Sequence, residues 1–241
     1  MKVSIIVPAF NEEKLLPASL RSIAAATEAF RARGWETELI VCDNNSTDRT
    51  AEVARAGGAQ VVFEPVNQIA RARNAGAAVA TGDWLVFVDA DSHPSRELFA
   101  DTADAVTSGR YLGGGVTVRL DEFFVGMSFF TWLWNCTSRL KKWCAGSYIF
   151  CDGRAFREIG GFSSEFFVSE ELDFSKRLSA LAKSKGQRLV ILTRHPLVTS
   201  ARKMHLYSHL EYAKLLLKLC LTGGKVVTQR EACHIWYDGR R

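Results

Sequence analysis

Two carboxylates stand one residue apart, directly after an apolar run, in the segment 84–91. Asp89 and Asp91 follow residues whose type predicts a buried strand. At the end of a strand, where the chain turns, both side chains can face a single cation. Mg²⁺ or Mn²⁺ held by one or two carboxylates and completed by phosphate oxygens needs a site of this kind. The other interpretation is an ordinary turn, in which Asp is common.

A second group of acids follows the Gly-Gly-Phe run at 160–162. Glu170, Glu171 and Asp173 open a predicted helix, where the helix dipole favours negative charge. Asp173 is also spaced for an ion pair with Arg177 one turn later. Three acids exceed what helix capping needs. We therefore expect one carboxylate here to act as a general base that removes a proton from a hydroxyl group.

The polar run at 43–48 follows another predicted strand and precedes a helix. Asp43 and Asn44 lie nearest the strand end, where their side chains can hydrogen-bond a base or a ribose. Ser46 and Asp48 are interpreted as caps of the following helix. Farther along, Arg73 opens another helix, where its guanidinium could bind phosphate or simply belong to a solvated face.

These residues need a scaffold, and the first half of the chain alternates strand and helix patterns. Strands are predicted at 3–7, 39–42, 61–63 and 84–88, with Asn11 as a helix N-cap, Ser95 as another, and an Ala-rich helix at 69–80. This alternation predicts an α/β fold with a doubly wound, mostly parallel sheet flanked by helices. Such sheets bind ligands at the carboxyl ends of their strands. The polar clusters after the first, second and fourth strands should therefore meet at one edge.

The second half has a different pattern but no linker or repeat, so we predict a single domain over 1–241. Strands are expected at 116–120 and 188–192, and helices at 171–185 and 206–221. The fold class thus includes a smaller region beside the parallel sheet.

The composition of the chain limits which partners and which cellular compartment are expected. The 241 residues have a formal net charge of +5 without a dense Lys/Arg tract, so nucleic acid is not an expected partner. Six cysteines without a CxxC pair give no zinc motif of common spacing. The apolar N-terminal stretch is too short for a signal peptide, so a cytoplasmic location with free thiols is expected.

The segment 123–143 is aromatic and ends in basic residues. A helix of this kind can lie on a membrane surface, here the cytoplasmic face. It can equally be a buried helix or an oligomer contact, and the oligomeric state stays open.

Five stretches in register resemble the family 2 glycosyltransferases, whose fold is called GT-A. They are residues 4–13, 41–48, 72–76, 83–91 and 160–177. Together they cover roughly residues 2–180, and their order is that of the family.

The resemblance implies a division of labour along the chain. Residues 1–110 would bind the nucleotide-sugar donor, and residues 111–205 would hold the acceptor and the base. The leucine-rich pattern after residue 205 predicts that residues 206–241 form a helical tail. The resemblance implies that the donor is bound by Pro8, Phe10, Glu12, Asp43, Asn44, Arg73, Asp89, Ala90, Arg202 and Lys203. Asp89 and Asp91 match the DxD motif that binds a divalent metal, and His205 would add a third ligand. Glu170 and Glu171 match the family's Glu-Asp pair, so Glu171 would be the catalytic base, with Asp173 as the alternative.

The implied reaction is an inverting transfer of sugar from a nucleotide-sugar, a UDP- or GDP-sugar, to an unidentified hydroxyl acceptor with Mn²⁺ or Mg²⁺. A lipid-linked acceptor or a polysaccharide precursor would suit it. A nucleotidyltransferase and a non-catalytic nucleotide-sugar-binding module are the alternatives. A nucleotidyltransferase would need a Gly-rich phosphate loop after the first strand, and this chain has none. A non-catalytic module would not need the acids at 89, 91 and 171, so their presence argues against it. A dinucleotide-binding oxidoreductase would need GxGxxG after the first strand, which is absent.

Overall fold

The computed structural model describes residues 1–122, 125–206, 228–230 and 237, but not the side chains of residues 125–128, 203 and 204. The strands are β1 Lys2–Ala9, β2 Glu36–Asp43, β3 Gln60–Phe63, β4 Trp84–Val88, β5 Ser92–His93, β6 Tyr111–Leu120, β7 Tyr148–Asp152 and β8 Arg188–Thr199. The helices are α1 Leu16–Ala26, α2 Glu28–Arg31, α3 Thr50–Ala56, α4 Ile69–Val79, α5 Arg96–Thr107, α6 Val125–Lys141, α7 Gly153–Glu158, α8 Glu170–Ser184 and α9 Arg202–Leu206. The helix predicted at 206–221 lies outside the described residues, apart from Leu206, and so do Phe123 and Phe124.

A single mixed sheet combines the described strands in the order β3-β2-β1-β4-β7-β6-β8-β5. β1 to β4 pair in parallel, as do β6 and β8. β7 runs antiparallel to both of its neighbours, and β5 runs antiparallel to β8. The prediction of an α/β fold with a mostly parallel sheet between helices is confirmed. Because the first four strands are parallel, the loops that follow them lie at the same edge of the sheet.

Both faces of the sheet are buried, which explains the continuous apolar runs of the first strands. Along β1, Val3, Ile5 and Val7 pack into the core on the side of α1, α2 and α5. Ile6 points to the opposite side, into the core formed with α4, α7 and α8. Phe87 of β4 belongs to this second core. The alternation of side chains along each strand therefore fixes which helices cover which face.

The second half of the chain enters the same sheet. β7, which the sequence pattern did not predict, lies between β4 and β6. The strands expected at 116–120 and 188–192 are present but longer. The extension of β8 lets Thr199 pair with Ser92, and Ser200 N then donates to Asp91 O at 3.1 Å. This pairing brings the residues after β8 to the Asp-x-Asp segment.

The prediction that Asn11 caps the first helix is wrong. Asn11 has a positive φ of 54°, and α1 begins only at Leu16. The Asn11 side chain instead accepts a hydrogen bond from Thr47 N at 2.8 Å, while Asn11 N donates to Ser46 Oγ at 3.0 Å. Asp48 does bind the start of α3, since its Oδ1 accepts from Thr50 N at 2.9 Å. The loops after β1 and β2 are thus joined to each other.

Close packing of α4 on β1 depends on Gly76. A Cβ atom at this position would lie 2.5 Å from Cγ2 of Ile6, a fully buried β-branched side chain of the core. The helix therefore approaches the sheet at a distance that only glycine allows.

We expect Gly76→Ala to lower the free energy of unfolding by about 1–3 kcal/mol, the usual cost of overpacking. Alanine gains about 1 kcal/mol of helix propensity over glycine, but the clash with Ile6 outweighs this gain. Urea denaturation measures the difference. Ala78→Ser, on the exposed side of the same helix, serves as the control and should stay within about 0.5 kcal/mol of the unchanged chain. A more stable Gly76→Ala variant would contradict the packing argument.

Candidate active site

A cleft lies at the carboxyl ends of β1, β2 and β4. The predicted residues that line it are Pro8, Phe10, Glu12, Asn44, Asp89, Ala90, Asp91 and Arg202. Ala9, Asn67, Ile69 and Tyr237 complete the lining. The structure therefore brings three of the polar clusters expected from the sequence to one place.

The Asp-x-Asp segment is held in the cleft by its backbone. Asp89 N donates to Ser147 O at 3.2 Å, and Ser92 N donates to Asp89 O at 3.1 Å, which closes a turn. Asp91 O accepts from Ser200 N. Both carboxylates remain partly exposed, with 28% and 17% of the side-chain surface accessible for Asp89 and Asp91. They are thus available to a ligand in the cleft.

Asp43 is the last residue of β2, Asn44 follows it, and both are nearly buried. Asp43 Oδ1 accepts from Ser46 N at 3.0 Å, and Asp43 does not line the cleft itself. Asn44 Nδ2 donates to Val66 O at 2.7 Å and so ties β2 to the loop after β3. Of this predicted pair, only Asn44 reaches the cleft in the described structure.

A buried arginine joins the cleft to the start of α8. Arg73 is 1% exposed, and its Nη2 donates to Asp89 Oδ1 at 3.1 Å and to Gly146 O at 2.8 Å. Its Nη1 donates to Glu170, which is 3% exposed. Burial opposes the charge of Arg73, but Asp89, Glu170 and Glu171 outweigh that effect and hold its pKa above the usual value. The interpretation of Arg73 as part of a solvated helix face is therefore wrong.

The neighbouring residue fixes the Gly-Gly-Phe run. Asn74 Nδ2 donates to Phe162 O at 2.7 Å, and Phe162 N donates to Asn74 Oδ1 at 2.9 Å. The guanidinium carbon of Arg73 lies 5.2 Å from the centre of the Phe162 ring. Gly161 has a φ of 67°, and a Cβ there would lie 2.6 Å from Asn74 Oδ1. Two motifs that are distant in sequence thus meet through one side-chain amide.

Glu171 lies beside this network at the first turn of α8. Its Cδ atom is 3.6 Å from the position that a Cβ on Gly146 would take. Burial and the adjacent Glu170 raise the pKa of Glu171 to about 8, although Arg73 opposes the rise. Arg73 is one positive charge beside three carboxylates, those of Asp89, Glu170 and Glu171. Because one positive charge cannot balance three negative charges, Glu171 keeps its proton more readily than an ordinary glutamate. Such a group can exchange a proton near neutral pH.

The remaining predicted site residues lie elsewhere. Asp173 forms the expected ion pair with Arg177, whose Nε donates to it at 2.7 Å. His205 lies 2.8 Å from a carboxylate oxygen of Glu122. The Lys203 side chain lies outside the described residues. In the described structure, neither Asp173 nor His205 joins the residues that line the cleft. Arg73, Glu170 and Glu171 do not line it either, but Arg73 connects them to it through Asp89.

Arg202, which follows β8, contacts residues of the first half of the chain. Its Nη1 and Nη2 each donate to Glu12 at 2.7 Å, and Nη2 also lies 3.3 Å from Asp91 Oδ2. A guanidinium with a planar fork of donors is well suited to an anionic ligand in the cleft.

Sequence reasoning missed several cleft residues. Asn67 belongs to the loop after β3, where Glu64, Asn67 and Gln68 have the same position relative to their strand as the polar clusters after the other strands, and Ile69 begins α4. The same pattern of polar residues after a strand indicates Asn67 but not Ile69, which is apolar. Tyr237 in the cleft and Gly146 beside Arg73 have no local signal, because only the tertiary structure places them there. The Tyr237 hydroxyl donates to Phe167 O at 2.5 Å.

The sequence of this chain is similar to those of known glycosyltransferases. Residues 4–158 match the family described as Glycosyl transferase family 2. The PGL/p-HBAD biosynthesis glycosyltransferase of Mycobacterium bovis (strain BCG / Pasteur 1173P2) is 36% identical over 191 residues, which cover 72% of this chain and 68% of that relative. An uncharacterised glycosyltransferase of Mycobacterium tuberculosis (strain ATCC 25618 / H37Rv) is 43% identical over 89 residues. That match spans about a third of each protein, 37% of this chain and 36% of the relative.

Solved structures share the fold. The mannosyltransferase PcManGT from Pyrobaculum calidifontis, in complex with GDP-Man and Mn²⁺, has a TM-score of 0.65 at 20% identity and covers 98% of this chain and 73% of its own. S. aureus TarS 1-349 in complex with UDP-GlcNAc has a TM-score of 0.64 at 21% identity, over 84% of this chain and 59% of its own.

The sheet and these structural neighbours show that the chain has the GT-A fold. The chain belongs to glycosyl transferase family 2. The resemblance inferred from the sequence is thereby confirmed.

The buried ion pair gives a testable consequence for stability. We expect Arg73→Met to lower the free energy of unfolding by about 3–5 kcal/mol, because it leaves Glu170 buried without its positive partner. Urea denaturation at neutral pH measures the loss.

The matched control is the double variant Arg73→Met with Glu170→Gln. It removes the orphaned charge as well, so it should recover at least about half of the lost stability. Equal stabilities of the single and double variants would show that Glu170 does not depend on Arg73.

Proposed function

We propose that this glycosyltransferase transfers a sugar from a nucleotide-sugar to a hydroxyl group of an acceptor, with inversion at the anomeric carbon and with a divalent cation at Asp89 and Asp91. Residues 1–110 would bind the donor, and residues 111–205 would hold the base and the acceptor. The observation that supports this most directly is the Arg73 network, because it links a donor-side carboxylate, Asp89, to the acids at the start of α8.

The cleft suits a nucleotide-sugar in its position and its chemistry. Pro8, Phe10 and Asn44 offer apolar surface and an amide for a nucleoside at the ends of β1 and β2. The acids and Arg202 lie on the side where a diphosphate would extend. Structural neighbours are described with UDP-GlcNAc and with GDP-Man, so both bases are candidates for the donor.

The acids of the Asp-x-Asp segment fit a hard divalent cation. Asp89 and Asp91 both line the cleft and offer the oxygen ligands that Mg²⁺ and Mn²⁺ prefer. Among the described residues, no group of three or more His, Cys, Asp and Glu side chains could hold a metal. Diphosphate oxygens and water would therefore supply the other ligands, which is usual for Mg²⁺. A bound cation would neutralise charge on the leaving nucleoside diphosphate.

The other proposed metal and phosphate ligands have different support. Arg202, held between Glu12 and Asp91, already presents its guanidinium to the cleft, and we propose that it binds the diphosphate. Lys203 is proposed to assist from the next position. His205 would have to leave Glu122 to reach a cation, so the metal proposal rests on the two aspartates. Structural neighbours described with Mn²⁺ agree with a cation in this fold.

Glu171 is the proposed general base. Its carboxylate would take the proton of the acceptor hydroxyl as that oxygen bonds to the anomeric carbon. The bond from this carbon to the diphosphate oxygen would break on the opposite face, which inverts the configuration. Arg73 and Glu170 would hold Glu171 at its place beside Gly146. Asp173 remains the alternative base, although its ion pair with Arg177 lowers its availability.

The donor is tested by nucleotide release. We expect slow hydrolysis of one member of a panel of UDP- and GDP-sugars in the presence of Mn²⁺, and loss of this activity with EDTA. Asp91→Asn should reduce the rate at least about 100-fold, because several kcal/mol of charge stabilisation are lost with the cation.

Asp104→Asn makes the same chemical change at an exposed carboxylate that pairs with Arg33, far from the cleft residues, and should leave the rate unchanged. Binding of a donor without hydrolysis would indicate that the acceptor is required. If no donor bound the protein in calorimetry, the proposed donor chemistry would be wrong while the family assignment stood.

The base is tested by an isosteric change. Glu171→Gln should lower the rate of transfer about 10²–10⁴-fold, the usual contribution of a general base, while donor binding persists. In the unchanged enzyme the rate should rise with pH up to about pH 8, because only the deprotonated carboxyl accepts a proton. Asp173→Asn is the matched variant and should retain most of the activity. The reverse order of the two effects would make Asp173 the base.

The raised pKa of Glu171 also predicts that the free energy of unfolding decreases as the pH rises. The folded protein keeps this proton at pH values where the unfolded chain has released it, so stability falls as pH rises from about 4.5 to about 8. Glu171→Gln removes this loss. At pH 8 we expect the variant to be more stable by about 1–3 kcal/mol, since water screens part of the effect at this partly exposed residue. Urea denaturation across the pH range measures it, and a difference that does not grow with pH would contradict the assignment.

A further inference from the structure

The polarity of α6 is opposite to that of an ordinary surface helix. Its inward side includes Asn135, whose Oδ1 accepts from Val118 N and whose Nδ2 donates to Val118 O, both at 2.9 Å. Ser138 is 0% exposed, and its Oγ donates to Trp143 O at 2.5 Å. Polar side chains therefore attach α6 to β6 and to its own C-terminal turn. The apolar side chains are left for the other side of the helix.

The outward side is a continuous apolar stripe. Phe129, Leu133, Cys136 and Leu140 recur at the spacing of one helix face. Phe129, Leu133 and Leu140 are 58%, 45% and 80% exposed, and Trp132 beside them is 59% exposed. Exposed apolar residues are common one at a time, but a contiguous row of large ones indicates a surface that contacts something else.

The charges on α6 itself are of one sign, although Asp121 and Glu122 lie near Trp132 at the end of β6. Arg139 and Lys141 flank Leu140 on either side, and Lys142 follows them, all three exposed. α6 itself contains no Asp or Glu. No helix among the described residues is long and apolar enough to cross a bilayer. A helix with an apolar, aromatic face and basic residues at its end has the composition of helices that lie in the plane of an anionic membrane surface.

We propose that α6 docks this protein on the surface of an anionic lipid bilayer, with the stripe of Phe129, Leu133, Cys136 and Leu140 inserted among the lipids and Arg139 and Lys141 at the headgroups. Charge complementarity favours anionic lipid over a second copy of α6, because lipid headgroups can pair with Arg139 and Lys141, whereas a second α6 has no acidic residue to offer them.

Docking through α6 would hold the cleft close to the bilayer. α6 is attached to β6, and Asp121 just after β6 accepts from Ala201 N at 2.8 Å. Arg202 follows Ala201 and reaches Asp91 in the cleft. Docking itself does not depend on the donor chemistry, so its failure would leave the proposed function untouched.

The experiment is flotation of the full chain with phosphatidylcholine vesicles, with and without phosphatidylglycerol. We expect binding to the anionic vesicles at low salt and little binding to the neutral ones. Phe129→Ser combined with Leu133→Ser should reduce the bound fraction at least about tenfold. Arg139→Gln combined with Lys141→Gln should weaken binding and remove most of its dependence on salt.

Phe63→Ser is the matched control, because Phe63 on β3 is 59% exposed, as much as Phe129, and lies outside the stripe. It should bind vesicles like the unchanged chain. Circular dichroism checks that all variants are folded. No binding to anionic vesicles at low salt, or equal binding by the Phe129→Ser/Leu133→Ser variant, would overturn the proposal. A dimer in light scattering that this variant converts to a monomer would overturn it as well and make the stripe a contact between two copies.

Discussion

The burial of the Arg73 guanidinium constrains the site more than any other single interaction. A charge that is 1% exposed must be surrounded by carboxylates and carbonyls, or folding would be too costly. Its partners come from the end of β4, the loop before β7 and the first turn of α8, which are Asp89, Gly146 and Glu170. None of these segments can move without breaking a buried hydrogen bond. The charge of one side chain therefore sets the distance between the donor side of the cleft and the proposed base.

Consecutive residues of α4 perform separate tasks because a helix turns by a fixed angle per residue. Arg73 points to the acids, Asn74 binds both backbone groups of Phe162, and Gly76 contacts Ile6 of the sheet. The stacking of the Arg73 guanidinium on Phe162 connects the first two tasks. Packing and hydrogen bonding thus explain the short Arg-Asn-Ala-Gly run as much as chemistry does. A substitution in this run would shift the side chains that border the cleft.

The sequence was informative wherever the signal was local. The first four strands are apolar runs followed by polar residues, and this pattern was enough to predict the parallel sheet and the edge at which Asp89 and Asp91 lie. β7 was missed because a short apolar run between loops does not reveal its pairing, and β5 is too short for any period. The contacts of Arg202 with Asp91 and of His205 with Glu122 join residues far apart in the chain. No spacing rule reaches them, and the burial of Arg73 likewise became clear only in the tertiary structure.

The acids at the start of α8 place the Glu171 carboxyl in an environment that disfavours its negative charge. Glu170 and Glu171 are adjacent, and with Asp89 they outnumber the one positive charge of Arg73 nearby. The positive end of the helix dipole helps to hold this negative charge but cannot neutralise it. Glu170 is satisfied by its ion pair, so the excess falls on Glu171, whose carboxyl keeps its proton well above the usual pH. A fold selected only for stability would replace Glu171 with a neutral residue. Its presence beside the cleft therefore favours a role in proton transfer over a role in packing.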